Sequence, residues 1–242
     1  MAELFTTILY QPVFNLLVFL YNLTGNLGLA IIILTVAIKI LLWPLSAQAT
    51  RAQKQLQAVQ PKIEELKKRH KDKREEQAKA LMELYHQEKI NPLSSCLPVL
   101  IQLPLLIAVF QVFRQGLKSE SLNLLYPFIT NPGSLNSLLW DSIDLATPNV
   151  VLAVLAGLAQ FWQTRMLMAK QPASPKPKSD DFAAILNKQM LYMMPILTVF
   201  IGLSLPSGLA LYWLVFTLLT IGQQRIVLKE KPTIAAQSTS LK

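Results

Sequence analysis

Five stretches of the chain are apolar almost without a break, at approximately 27–45, 93–113, 149–168, 190–205 and 208–228. A helix needs about 17–25 such residues to cross a bilayer, so each stretch predicts a transmembrane helix, the fourth of them short. Pro98 and Pro104 interrupt the second. Prolines are tolerated in membrane helices where neighbouring helices or water satisfy the freed carbonyls. Only Pro206 and Ser207 part the last two stretches, which predicts a tight helical hairpin. No internal repeat is visible, and this weighs against an inverted-repeat transporter.

Between the first two spans the pattern becomes amphipathic. Leu56, Val59, Ile63 and Leu66 recur at helical spacing, and Leu81, Met82 and Tyr85 do so again. KKRHKDKREE between them is polar throughout and suits the tip of a charged helical hairpin over 49–90. Pro61 fits the start of a helix, where its missing N–H does no harm, and Asn91-Pro92 reads as the N-cap and first turn of the second span. Leu4 to Tyr21 is apolar but carries Gln11 and Asn15, with Glu3 and Asn22 at its flanks and Pro12 interrupting it. It lacks the basic n-region of a signal peptide, so residues 1–26 are expected to form a helix lying along the interface.

Composition agrees with a membrane protein. Hydrophobic residues make up 52% of the 242 and charged residues 15%, against about 25% charged in a typical soluble domain. Mean hydropathy is +0.37. The net charge of +9 is localised: residues 1–38 carry no Lys or Arg, whereas 49–92 carry eleven, 169–188 four and 225–242 four. Segment 115–148 holds only Lys118. The positive-inside rule then puts the N-terminus outside and the C-terminus, with a short basic tail over 229–242, in the cytoplasm. This charge distribution reflects orientation and anionic lipid, without direct nucleic-acid specificity. The lone Cys96 excludes an internal disulfide, and His70 and His86 lie in the charged segment outside any metal-ligand spacing.

Marks of catalysis are missing. No span contains a His, Asp or Glu, Ser207 sits in an outer turn, and there is no phosphate loop or dinucleotide fingerprint. The expectation is a protein that is not an enzyme and uses no metal, nucleotide or other cofactor. The polar residues inside the spans are more informative. Lys39 lies within ILTVAIKILLWPLS, where a charge at a helix centre costs about 2.5–3.5 kcal/mol on insertion scales. Thr35, Lys39 and Ser46 share a helix face. The other spans offer Gln102 and Gln111, Gln160, Gln163 and Thr164, and Tyr212, Thr217 and Thr220. Interhelical hydrogen bonding accounts for such residues in general, and a lysine this near the helix end can snorkel to the surface. Yet no intramembrane acid is available to pair with Lys39, so a wet cavity around it is expected. If that cavity opens to the cytoplasm, Lys39 attracts acidic segments and releases them again.

These residues carry a resemblance. IKILLWPLSAQ, VQPKIEELKKRHKDK, LYHQEKINPLSSCLPVLIQLPLLIAVFQ and LPSGLALYWLVFTLLTIGQQ make the chain similar to the YidC-type (Oxa-type) membrane protein insertases along nearly its whole length. The combination of NPL..CLP.LIQ.P with a late PSGL.LYW is specific. The resemblance implies a five-helix core around a hydrophilic groove open to the cytoplasm and lipid, and closed on the outer side. Lys39 matches the groove cation, Thr35 the polar position one turn before it, and Tyr212 and Trp213 the aromatic pair that contacts substrates. The hairpin, with Lys62, Lys67, Lys68, Arg69, Lys71, Lys73 and Arg74, matches a mobile recruitment element. The chain departs from the family in several places. Lysine stands where many members have arginine, SSC replaces GGC before the second span, no large extracytoplasmic domain or lipoprotein-type cysteine precedes the core, and the tail is short.

The combined expectation is an all-α integral membrane protein of a bacterial plasma membrane, with five transmembrane helices, a cytoplasmic hairpin and an N-terminal interfacial helix. Its groove residues are Lys39, Thr35, Gln102, Gln160, Gln163, Tyr212, Trp213 and Thr217. Its function is that of an insertase and chaperone for nascent membrane proteins, alone or with a Sec-type translocon, with the ribosome and anionic lipids as further partners. The rival readings are a small transporter or channel with Lys39 as an anion site, and a scaffold that uses the hairpin as a coiled coil.

Overall fold

In a computed structural model the described residues are 2–70, 73–91, 97–115, 123–140, 142–168 and 182–229. Their helices are α1 (Ala2–Phe5), α2 (Gln11–Thr24), α3 (Leu27–Leu41), α4 (Trp43–Arg69), α5 (Arg74–Gln87), α6 (Leu97–Gln115), α7 (Val150–Met168), α8 (Phe182–Ser204) and α9 (Ser207–Lys229). A two-stranded antiparallel ribbon, β1 (Leu138–Leu139) and β2 (Ile143–Asp144), pairs Leu138 with Asp144. By length and composition, Glu3–Thr24, Val150–Met168 and Ser207–Lys229 can each cross a membrane, as can α3 with α4 if that bent pair is one span.

The N-terminal segment does not break at Pro12. A π-helical turn, Thr6–Tyr10, precedes it and the chain stays helical to Thr24. Such a turn redistributes the backbone hydrogen bonds that a proline would otherwise interrupt. Tyr10, Phe14, Leu17 and Val18 from this segment join the main core with Ile31, Leu34, Val109, Val112 and Tyr212. α2 ends on Gly25, whose φ of +65° suits glycine. Asn26 then caps α3, its side chain accepting from Leu29 N at 3.1 Å.

The first predicted span is not one straight helix. α3 ends at Leu41 and α4 begins at Trp43, with a bend of 64° between them. Pro44, near the start of α4, has no N–H to continue the ladder. Pro61, by contrast, does not start a helix as expected: α4 runs through it to Arg69. Pro61 is exposed, so the solvated side of the helix absorbs the missing hydrogen bond. α5 returns beside α4 through a small second cluster of Val59, Ile63 and Ile90, flanked by Leu56, Leu81, Leu84 and Tyr85. Met82, assigned by its spacing to the packed face, is 67% exposed and Leu84 takes that place. Lys62 pairs with Glu88, and Gln77 Nε2 donates to Lys67 O at 3.2 Å.

α8 starts at Phe182, well before the expected residue 190, because the helix extends past the apolar stretch that hydropathy detects. The turn from α8 to α9 is as short as the sequence demands. α8 nonetheless packs mainly on α7, where small residues allow close approach: Gly157 faces Val199 and the Pro195 carbonyl, and Gly202 faces Ala153. Lys71, the cap role of Asn91-Pro92, Cys96, most of the basic segment 169–188, and the tail beyond Lys229 lie outside the described residues, as does the side chain of Arg74.

Candidate polar site on the last helix

α9 is the element on which the predicted polar residues converge. It packs against five other helices, and four of them, α3, α4, α6 and α7, supply it with polar partners. Lys39 on α3 is 3% exposed, and its Nζ donates to Thr220 Oγ1 at 2.9 Å while lying 4.6 Å from the centre of the Phe216 ring. Its stem does not snorkel toward the surface. The ammonium is turned inward, onto a hydroxyl and an aromatic face. A cation over an aromatic ring gains about 0.5–2 kcal/mol, more when desolvated. Among the described residues no carboxylate pairs with it.

Adjacent residues on a helix point roughly 100° apart, so Tyr212 and Trp213 meet different partners. The buried Tyr212 hydroxyl accepts from Gln102 Nε2 on α6 at 2.9 Å. Trp213 is half-buried and its Nε1 donates to Gln160 Oε1 on α7 at 3.3 Å. Of the remaining predicted groove residues, Thr35 is buried and its hydroxyl donates to Ile31 O in its own helix at 2.6 Å. Thr217 is buried on α9 and Gln163 half-buried on α7, and neither joins these interhelical pairs. The structure therefore joins Lys39 with Thr220, Gln102 with Tyr212 and Gln160 with Trp213 in three pairs on α9, and leaves Thr35, Gln163 and Thr217 outside them.

Three neighbours in this polar cluster were not predicted. Phe216 lies against Lys39, one turn before Thr220. Gln223 is buried; its Oε1 accepts from Ser46 Oγ at 2.9 Å and its Nε2 donates to Trp43 O at 3.0 Å. It thereby holds the start of α4 just beyond the bend. Gln224 is buried beside it, and its Oε1 has no hydrogen-bond partner among the described residues. The signal was available: Thr220, Gln223 and Gln224 repeat at i, i+3 and i+4, one continuous face of the helix. A further pair of contacts braces this end, with Lys54 Nζ donating to Leu228 O at 2.9 Å and Gln57 Nε2 to Leu167 O at 3.0 Å. Both satisfy carbonyls in the last turns of α9 and α7.

Of the predicted hairpin cations, Lys62 pairs with Glu88, Arg69 with Glu65 at 2.6 Å and Lys73 with Glu76 at 2.8 Å. The three cations are largely exposed, and surface pairs of this kind contribute about 0–1 kcal/mol each. Lys67 and Lys68 lie in the last turn of α4. No group of three His, Cys, Asp or Glu able to hold a metal occurs among the described residues.

A family model described as 60Kd inner membrane protein matches residues 19–234. A relative described as membrane protein insertase YidC, from Ectopseudomonas mendocina (strain ymp), is 36% identical over 220 residues, covering 91% of this chain and 34% of the relative. Another of the same description, from Francisella tularensis subsp. novicida (strain U112), is 36% identical over 209 residues, covering 86% and 33%. The chain thus spans about a third of the length of these relatives. Its fold is similar to that of a solved structure described as "Active YidC insertase crystal structure with the first transmembrane domain resolved". The TM-score is 0.57 at 28% identity, over 92% of this chain and 47% of that one.

Proposed function

The chain belongs to the 60Kd inner membrane protein family, and from that premise we propose that it is a membrane protein insertase and chaperone built on a five-span core. It receives acidic or polar parts of nascent membrane proteins at Lys39 and releases their apolar segments into lipid. The observation that carries this reading is the buried ammonium of Lys39, held by a hydroxyl and a ring without a carboxylate. Those partners are neutral, so the positive charge is uncompensated and attracts an anion once a client parts α3 from α9. A client carboxylate 4 Å away would gain about 4 kcal/mol at an effective dielectric of 20, before desolvation. That suffices for capture and still permits release. Transfer of the client's apolar surface from water to lipid, at about 25 cal/mol per Å², supplies the driving force.

In this reading the groove opens between α3 and α9 toward the cytoplasm, and the cytoplasmic element α4–α5 recruits clients with Lys62, Lys67, Lys68, Arg69, Lys71, Lys73 and Arg74. The N-terminus is outside and the C-terminus inside. The N-terminal helix lies along the outer interface, and a packing observation supports that placement. Gln11 and Asn15 donate to Leu124 O, and Asn22 to Thr130 O. The irregular segment 124–130 therefore runs along α2 for most of the helix's length. Irregular backbone is excluded from lipid-exposed hydrocarbon, so a helix lined by it along that length fits the interface. Clients come from the ribosome directly or through a Sec-type translocon, and anionic lipids favour the basic inner face.

The test is insertion of a single-span client with a short acidic tail into liposomes containing only this protein. Wild type and Lys39→Arg are expected to insert it, and Lys39→Ala to fail. Lys39→Glu should impair acidic-tailed clients far more than neutral-tailed ones. Equal loss for both clients in Lys39→Glu would sink electrostatic capture. Solute flux without insertion would favour the transporter reading.

A further inference from the structure

The segment between α6 and α7 carries a strained, outward-facing aromatic that nothing among the described residues covers. Trp140, at the tip of the β1–β2 ribbon, has φ of +48° and is 65% exposed. A bulky residue in that region is a genuine outlier and carries backbone strain. Among the described residues the Trp140 indole is not packed into a core. Phe128, earlier in the same segment, is 80% exposed, with its ring stacked on Tyr126 at 5.5 Å.

These aromatics are held in a fixed place. Leu139 packs on Gly28 at the start of α3, where any Cβ would collide with it. Ser207 N donates to Thr147 O at 2.9 Å, Gly208 N to Leu145 O at 3.0 Å and Ser207 Oγ to Asp144 O at 2.9 Å, so the ribbon is tied to the first turn of α9. Asp144 accepts from Ser137 Oγ and Ala146 N, which hold its carboxyl below the usual carboxylate range. Asn136 N donates to Tyr21 OH at 3.0 Å, fastening the segment to α2 as well. α9 is 23 residues long, about 35 Å at 1.5 Å per residue, which is a full bilayer crossing. The ribbon clasps its first turn and therefore sits at the membrane–water boundary.

We propose that Trp140 and Phe128 are an interfacial anchor, seated among the lipid headgroups at the end of the molecule where α3 and α9 begin. Indole and phenyl rings favour that layer over both water and hydrocarbon. The charge pattern suits lipid of no net charge, since residues 123–148 contain two aspartates and no Lys or Arg. The left-handed tip turns the indole outward, and headgroup contacts offset the strain. The ribbon then fixes the depth of α3 and α9, and with it the depth of Lys39.

The experiment uses the full chain in phosphatidylcholine vesicles with Trp140 as the one tryptophan, Trp43, Trp162 and Trp213 being changed to Phe. Emission should be blue-shifted, quenched more by bromines near the headgroup than by bromines at the chain end, and little affected by aqueous iodide. Water-like emission with full iodide quenching would overturn the anchor and leave the patch to a protein partner. Quenching strongest from the chain end would also overturn it. Should the triple substitution disturb folding, a nitroxide at Phe128→Cys in a Cys96→Ser background reads the same depth from its accessibility to oxygen and to a water-soluble nickel chelate. Neither readout depends on insertion, so the anchor can fail while the insertase reading stands, and the reverse.

Discussion

Asn15 lies inside an apolar helix, 1% exposed, and uses its side chain completely. Its Nδ2 donates to Gln11 O and Leu124 O, and its Oδ1 accepts from Tyr126 N at 2.6 Å. The asparagine that looks misplaced in an apolar stretch is thus the clasp between α2 and the segment that carries the aromatics. Its replacement by Leu would take the acceptor from Tyr126 N and leave Leu124 O with Gln11 Nε2 alone, at about 1–3 kcal/mol for a buried group left unpaired. Asn15→Leu is expected to lower the melting temperature in detergent and to speed amide exchange at Tyr126, while Asn22→Leu, at an exposed bond, has a smaller effect. An unchanged Tyr126 exchange rate in Asn15→Leu would refute the clasp. Lys39 follows the opposite logic. Asn15 is saturated by protein groups, whereas an ammonium has three donors and Lys39 spends one on Thr220 and turns to a ring.

At the scale of elements, the bend between α3 and α4 is where core and cytoplasmic helices meet, and Gln223 sets its geometry. Its amide bridges Trp43 O and Ser46 Oγ from the neighbouring α9, just past the residue where the ladder of α3 ends. Gln223→Leu keeps the volume and removes both bonds. The expected result is a broader distribution of distances between spin labels on α5 and α7, with α9 still helical and the protein still folded. An unchanged distribution would mean that Lys54 and Gln57, which reach Leu228 O and Leu167 O, hold the angle by themselves. The apolar helices were legible from hydropathy, and α4 and α5 from the helical spacing of their apolar residues. Their ends and bends were less so. Pro12, Pro44 and Pro61 look alike in sequence, yet one follows a π turn, one adjoins a sharp bend and one rides inside a continuous helix. The difference depends on what surrounds each freed carbonyl, which no local pattern encodes.

Across the whole molecule the site was legible as a list of residue types and not as an arrangement. Lys39, Gln102, Gln160, Tyr212 and Trp213 stand out as polar or aromatic groups in apolar runs, but their common partner helix emerges only when α9 is surrounded. Gln223 was passed over although it lies within the fifth predicted span, where one face of α9 stays buried through Gln223, Gln224, Val227 and Leu228. The same three-dimensional view separates two cores. The main one joins the N-terminal segment with α3, α6 and α9, and the small one holds only Val59, Ile63 and Ile90 with their flanking side chains. α4 is the bridge between them. A cluster this small supplies little of the total stability, and elements of that kind open locally at free energies well below global unfolding. Deuterium exchange should therefore find the amides of Arg74–Gln87 exchanging orders of magnitude faster than those in the middle of α9. Ile63→Ala removes about 2–5 kcal/mol from a packed site of this type, which is comparable with the entire small core. It is expected to bring α5 to the exchange rate of an unfolded chain and to leave α9 and the melting temperature of the main core unchanged. Loss of protection in α9 on the same substitution would show one cooperative unit instead. That outcome would also weaken a recruiting role for the hairpin, because an element that must move toward arriving clients needs to open without unfolding the groove it serves.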